Sequence, residues 1–397
     1  MCSVRLQRVK SKADIRAFAA LPRRLYGSFT DYVAPLDIIQ CDMMNASKNP
    51  FFLHAEAAYW IAEKNGRKVG RISAQIDKLD AMRGRPNLGH FGNLAAIDDA
   101  ETVAALFDAA EKWLAERNMT EVTGPFNLSV NGESGLMVSG HKERNMFLTP
   151  WDPPYLADLV EAAGYTKARD LHSFEYTDIE APIEMANRFA AMSAKMKIHT
   201  YLVKASEIES KLDTVLKLFN DAWENNWGFV PMTREELAHM AKDLKPLLAD
   251  ECLAIVEVEG EPAAFALALP NLNEMSADLD GRLLPFGWAK LAWKVKRRAY
   301  TSGRLLLMGV NRQHRETGLG AGIALLAIEK MREGVAKLGI RTAELGWVLD
   351  DNRPMLRMLD LMHARRYKTH RVYQKVLVET RANEGNNSSQ PYGAKNK

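Results

Sequence analysis

The stretch 304–329 leaves this chain few options. Residues 304–310 (RLLLMGV) form an apolar run with the length of a buried strand, followed by a polar turn and by Gly318, Gly320 and Gly322. A helical pattern starts at once, with Ile323, Leu326, Ala327 and Met331 recurring on one face. Strand, turn and helix in that order build an anion cradle. The glycines let backbone approach a ligand without a Cβ in the way, and the unpaired N–H groups of the first helical turn point at the same spot. A phosphate resting on Gly318, Leu319, Gly320 and Ala321 is the natural occupant. Arg315, three residues before the first glycine, adds charge and a bidentate fork.

Two cofactor classes use such a cradle. A dinucleotide fold wants GxGxxG directly after the strand and an acidic residue about twenty positions on; here the turn is long, carries Arg315, and the acidic residue on the next strand, Glu344, comes late. The pattern is RxxGxG instead, and it resembles the pyrophosphate loop of the GNAT superfamily of acyl-CoA N-acyltransferases. A second strand-like run at 340–349 follows, and then Asn352, able to cap a helix with Pro354 in its first turn and Met355, Leu359 and Met362 on one face. The resemblance implies that the two strands splay, that the pantetheine arm of acyl-CoA lies in the gap along Met308 and Val310 with Asn352 nearby, and that the run 367–378 completes the sheet. Another α/β nucleotide binder, or a relic that has lost its ligand, remains open.

A chain of 397 residues is comfortable for two domains. Its hydrophobic share of 47% and charged share of 26% suffice for full cores, and the net charge of +3 indicates no particular partner. The three cysteines have no metal-ligand spacing, so no metal is expected and a reducing cytosol fits. The amino terminus has no apolar signal region and no run reaches bilayer length. Basic residues are not interleaved with an aromatic platform, which argues against nucleic acid.

The first half reads as a second copy of the same kind of domain. Residues 56–77 alternate around Lys64-Asn65-Gly66, a hairpin signal. A strand near 90–97 runs into Asp98 and Asp99, which can cap a helix with Val103, Leu106, Phe107, Ala110 and Leu114 on its buried face. Strands near 121–124 and 171–176 flank a Pro-initiated helix closed at Gly164. Acidic residues stand where the cradle would be, so this copy is not expected to bind CoA; it braces the other or walls an acceptor pocket. The expected architecture is α/β (α+β), two tandem GNAT-like domains, each a mixed, mostly antiparallel sheet flanked by helices. They divide as 1–180 without the loop and 181–380 with it, followed by a disordered tail at 381–397. The Gly- and Asn-rich segment 125–140 reads as an ordered loop facing the junction or as plain surface.

In the second half, 219–233 concentrates polar residues and two tryptophans at a helix end. The connection between the first two helices borders the acceptor site in GNAT proteins, so the resemblance makes Asp221, Asn225, Asn226 and Trp227 candidates to bind a polar head group. A Trp anchor in a solvated loop is the plainer alternative. Direct attack of an amine on the thioester needs an oxyanion donor, for which the Val310 N–H is the candidate, and a proton acceptor: Glu274, Glu224 or His314. Many GNAT enzymes carry a tyrosine acid near the seventh residue after the capping Asn. Leu359 stands there, leaving Tyr373 as an alternative. A helix from Gly287 places Trp288, Leu291 and Val295 on one face, with Lys290, Lys294 and Arg297 opposite or flanking, and 287–298 suits contact with an anionic membrane surface or ordinary surface packing.

Nearly the whole chain resembles a bacterial group of two-domain GNAT proteins that includes the bacterial ceramide synthases, on stretches such as NPFFLHAEAAYWIAEKNGRKVGRISAQID, TGPFNLSVNGESG, AWENNWGFVP and WVLDDNRPM. The resemblance implies transfer of a fatty acyl group from long-chain acyl-CoA to a sphingoid base; the expected location is cytoplasmic, with the 287–298 helix as the candidate for peripheral contact at the inner membrane face. A small-amine acetyltransferase or a nonenzymatic acyl-CoA sensor is the alternative. An aminoacyl-tRNA-dependent transferase would not need Arg315, Gly318 and Gly320.

Overall fold

The computed structural model describes residues 3–377; the expected tail at 381–397 lies outside them. The hairpin signal at 64–66 is borne out, β2 (Ala55–Lys64) and β3 (Arg67–Asp77) turning at Asn65 and Gly66, and a second hairpin of β9 (Leu253–Val258) and β10 (Glu261–Pro270) turns at Glu259 and Gly260. All four turn residues have positive φ, which Gly and Asn tolerate and Glu259 accepts at some cost.

The remaining strands are β1 (Arg5–Arg8), β4 (Leu88–Ala96), β5 (Glu121–Gly124), β6 (Leu136–Ser139), β7 (Thr166–Tyr176), β8 (Ile198–Val203), β11 (Ser302–Val310), β12 (Thr342–Leu349) and β13 (Arg365–Val376). They form one continuous 13-stranded sheet in the order β1-β2-β3-β4-β5-β13-β7-β12-β11-β10-β9-β8, with β6 pairing β13 off this path. Pairing is antiparallel except for β4 with β5 and β11 with β12. Each half therefore has the expected mixed sheet, but the closing strands are exchanged. β13 does not complete the sheet of its own half: it lies between β5 and β7, while β7 pairs with β12. Local pattern cannot reveal this, because the alternation of side chains along a strand records which face is buried and not which neighbour the backbone pairs with.

Each half keeps its own core. In the first, the Ala100–Ala115 helix buries Leu106, Phe107 and Leu114 against Ile72 and Phe91. In the second, the Gly320–Lys337 helix buries Ile323, Ala327 and Met331 against β9 and β10. Gly322 in that helix serves packing: a Cβ there would meet the Phe189 ring at 2.2 Å. Between the halves a buried charge cluster pins the exchanged strands. Glu344 on β12 accepts from Lys368 Nζ at 3.1 Å and from Tyr367 Oη at 2.5 Å, both on β13. Its other oxygen is 3.3 Å from Arg304 Nε on β11, a charge contact without hydrogen-bond alignment. Burial opposes the ionised carboxylate, but Lys368 and Arg304 hold its pKa below the ordinary value. Removing one partner would leave a buried charge uncompensated, at a cost of about 3–5 kcal/mol.

Candidate acyl-transfer site

The parallel pairing of β11 with β12 runs from Ser302 opposite Thr342 to Leu305 opposite Leu345 and stops. Beyond it the strands part. On its other edge β11 pairs with β10, and that register slips at Leu306, which has no cross-strand partner. Such a bulge frees one residue's backbone from the ladder. The parted edges open a cavity of about 1560 Å3, lined by Leu306, Met308 and Val310 on one side and Gly346, Trp347 and Leu349 on the other.

One end of this cavity meets the glycine turn, where Arg315, Gly318, Gly320, Ala321 and Asn352 line it. Gly320 is required by the turn itself, since a Cβ would stand 2.8 Å from Arg315 Cα and 2.9 Å from the His314 carbonyl oxygen. Gly318 faces open space. The amides of Ala321 and Gly322, in the first turn of the Gly320–Lys337 helix, have no hydrogen-bond partner among the described residues. Those orphan donors and the helix dipole favour an anion, so the turn fits a pyrophosphate. Leu319 supplies backbone only, its side chain packing on the core. Arg315 donates to the carbonyls of Ala222 and, at 3.4 Å, Asp221, at the C-terminal end of the Leu212–Trp223 helix. Asn352 accepts from the Met355 N–H at 3.3 Å and so caps the Arg353–Leu361 helix. Trp223 Nε1 donates to the Met308 carbonyl at 3.0 Å.

From the glycine turn the cavity runs between the halves. The first half contributes Ile39, Phe51, Leu128 and Val130; the second contributes Met240, Leu244, Leu291 and Val295. Trp288 of the Gly287–Lys296 helix lines the cavity and is 58% exposed, and on and beside the same helix Leu284, Phe286 and Trp293 are 82%, 77% and 57% exposed. The basic residues there are largely engaged. Lys290 and Lys294 each bond Asp278 at 2.7 Å, and Arg297 lies over Trp293.

Asn225, Asn226 and Trp227 line the cavity, whereas Asp221 accepts from the Arg312 N–H and steadies the loop. None of the four proton-transfer candidates lines it. Both Glu274 oxygens are filled by the backbone and hydroxyls of Thr301 and Ser302 at 2.6–3.0 Å, fastening the start of β11. The Glu224 carboxylate lies near Arg83 and Arg312 at the surface, and His314 Nδ1 bonds Asn311 Oδ1 at 2.7 Å. Tyr373 is carried by the exchanged strand into the first half's core, where its hydroxyl bonds Glu161 at 3.2 Å.

The loop after β5 places a different carboxylate in the cavity. Glu133 lines it, with Oε2 accepting from Asn127 Nδ2 at 2.5 Å. Burial raises its pKa, while the Asn127 bond and the charges of Arg71 and Arg304 work the other way. Arg304 also orders this region, donating to the carbonyls of Phe147 and Leu148 at 3.1 and 2.7 Å and of Gly346 at 3.3 Å. The polar segment 125–140 signalled a junction loop, but nothing in its spacing singled out Glu133.

No family model matches the chain. It is 39% identical over 370 residues to the bacterial ceramide synthase of Caulobacter vibrioides (strain NA1000 / CB15N), covering 93% of this chain and 96% of that protein. The chain belongs to the bacterial ceramide synthase family. Protein YghO of Escherichia coli (strain K12) is 38% identical over 367 residues, covering 92% of this chain and 94% of its own length. Among solved structures, a tandem GNAT protein from the clavulanic acid biosynthesis pathway superposes with a TM-score of 0.55 at 12% identity, covering 95% of this chain and 99% of its own. A GCN5-related N-acetyltransferase from Sphaerobacter thermophilus does so at 0.52 and 12%, covering 94% and 96%. This member of the ceramide synthase family is thus an acyltransferase of tandem GNAT fold.

Proposed function

We propose that the chain transfers a fatty acyl group from acyl-CoA to the amine of a sphingoid base, forming a ceramide or 3-keto-ceramide. The observation that carries this reading is one cavity of about 1560 Å3 joining the glycine turn, the parted strands and an apolar passage between the halves. A short acyl group would leave most of that passage unfilled.

In this reading the first helical turn at Gly320, Ala321 and Gly322 holds the pyrophosphate, and Met308 and Val310 flank the pantetheine arm. Val310 abuts the glycine turn. At roughly 3.3 Å per strand residue, Leu306 stands about 13 Å further along, near the reach of an extended arm. The backbone freed by the bulge at Leu306 is therefore a better oxyanion donor than that of Val310. The bound thioester supplies the electrophilic carbonyl carbon. The amine nitrogen bonds to that carbon, the carbon–sulfur bond breaks, Glu133 accepts the amine proton, and a proton returns to the sulfur to give the thiol. A carboxylate whose pKa is raised by burial is suited to the accepting role. Residues 1–180 wall the acceptor side and supply Glu133, while 181–380 hold the acyl-CoA.

Trp288 lines the passage, and with the exposed Leu284, Phe286 and Trp293 beside it the helix suits insertion at a membrane surface, apolar contact weighing more than the paired lysines. No helix among the described residues is long and apolar enough to cross a membrane. The test is thiol release from acetyl- to long-chain acyl-CoA offered with sphinganine, 3-ketosphinganine and a polyamine, products identified by mass. Amide formation on the sphingoid bases with long chains is expected; turnover confined to acetyl-CoA and the polyamine would overturn the reading.

A further inference from the structure

Behind Glu133 lies a second, smaller space of about 90 Å3. It shares Gln40, Asn127 and Glu133, among others, with the large cavity, and Tyr32, Arg71, Asn93, Trp151 and Asp152 bring further polar groups into a lining that also includes Pro35, Leu36 and Leu94. Several of its polar groups are buried and unsatisfied. Arg71 Nε, Tyr32 Oη, Trp151 Nε1 and Asn93 Oδ1 are all covered and have no hydrogen-bond partner among the described residues. Arg71 is 5% exposed, donates to the Phe18 carbonyl at 2.8 Å and to Gln40 Oε1 at 3.5 Å, and pairs with no carboxylate among the described residues. Asn93 spends its other groups on Asn127 and Ser73 at 2.9 and 3.1 Å. Asp152 accepts from the Met137 N–H at 2.9 Å.

Buried polar groups are normally paired, and leaving one unpaired is costly. Three unpaired donors and one acceptor in one chamber, a buried cation among them, suit a ligand that brings oxygen. The geometry points to this chamber as the seat of the acceptor's oxygen-bearing head: the hydroxyl arm of a long-chain 2-amino alcohol, with its amine at Glu133 and its chain in the apolar passage. This rests on the acyl-transfer reading above and adds to it a recognition element in the first half. A hydroxymethyl group fits the volume, and its oxygen can accept from Arg71 or Tyr32 while donating to Asn93 or Asp152. An acceptor lacking that hydroxyl leaves the same groups unpaired, so it is discriminated against through the chamber rather than through the chain.

The experiment compares kcat/KM for sphinganine and its 1-deoxy analogue under one long-chain acyl-CoA, in the full chain and in Tyr32→Phe, Trp151→Phe and Arg71→Leu. Thermal melts identify any variant that fails to fold. The wild type is expected to prefer sphinganine by roughly 10- to 100-fold. Tyr32→Phe, the least intrusive change, is expected to shrink the ratio several-fold, the loss falling on sphinganine more than on the analogue. A wild-type ratio near one, or a ratio unmoved in every folded variant, would show that the chamber holds only water and overturn the assignment, leaving acyl transfer intact. If sphinganine is not turned over, the same ratio is read with 3-ketosphinganine and its 1-deoxy analogue, and turnover of none of these acceptors would sink the acyl-transfer reading and the assignment with it.

Discussion

The two halves place the same strand–turn–helix unit at equivalent points and do opposite things with it. After β4 the first helical turn is closed: Asp99 accepts from the Thr102 N–H at 3.0 Å, and Lys64 reaches across to Asp99 and Glu101. After β11 the turn is open, with glycine where a Cβ would collide and two amides free. An aspartate cap supplies the negative charge internally, and an uncapped glycine turn leaves that place to a ligand. One fold position thus becomes a brace or a binding site through a few side chains.

The severest break of this contrast is Gly320→Val, which forces a side chain into Arg315 and should lower kcat/KM for acyl-CoA by about 100-fold or more, since small displacements of bound substrate are that costly. Steady-state kinetics with a folded variant decides it. Glu133→Gln should cut kcat by about 100-fold while acyl-CoA binding, read by calorimetry, is kept. That outcome would assign the accepting group to the first half and the donor-binding turn to the second. Phe286→Glu with Trp288→Glu should weaken sedimentation with anionic vesicles by about ten-fold or more; wild-type protein that ignores vesicles would remove the membrane from the account.

A milder test addresses the contact between the halves. His54 bonds Asp77 at 2.8 Å and lies 3.4 Å from Glu236 on the Arg234–Leu244 helix. Burial opposes its charge, but the two carboxylates raise its pKa from 6.5 to about 9. Its contribution to stability is therefore complete below pH 6.5 and lost as pH rises through about 9. Melting temperature across that window should fall more steeply in the wild type than in His54→Gln. The smallest effect is expected from Asp99→Ala: about 1 kcal/mol of stability lost with the cap, and unchanged kinetics.

Much of the candidate site was legible because it is local. Gly320 and the Asn352 cap act through residues a few positions away, and backbone geometry at a turn is written in the residues that form it, whereas the Arg315 guanidinium, expected at the phosphate, donates to the distant Ala222 and Asp221 carbonyls. Position along the chain suggests Glu274, Glu224, His314 and Tyr373, but distant partners engage Glu274, Glu224 and Tyr373 elsewhere and the local Asn311 side chain engages His314. Glu344, read against a dinucleotide ribose only because it comes late, has its charge taken up by Lys368 and Arg304.

The sequence by itself determined the order of elements, the tandem halves and which half carries the anion turn, since periodicity, hairpin turns and glycine spacing are properties of short segments. Tertiary structure alone decided that β7 and β13 change places, that the loop at 125–140 brings Glu133 to the parted strands, and that Arg71 lies buried without a counter-charge. Those facts depend on which surfaces meet after folding. A buried strand, a polar loop and an arginine look the same along the chain whichever neighbours they find.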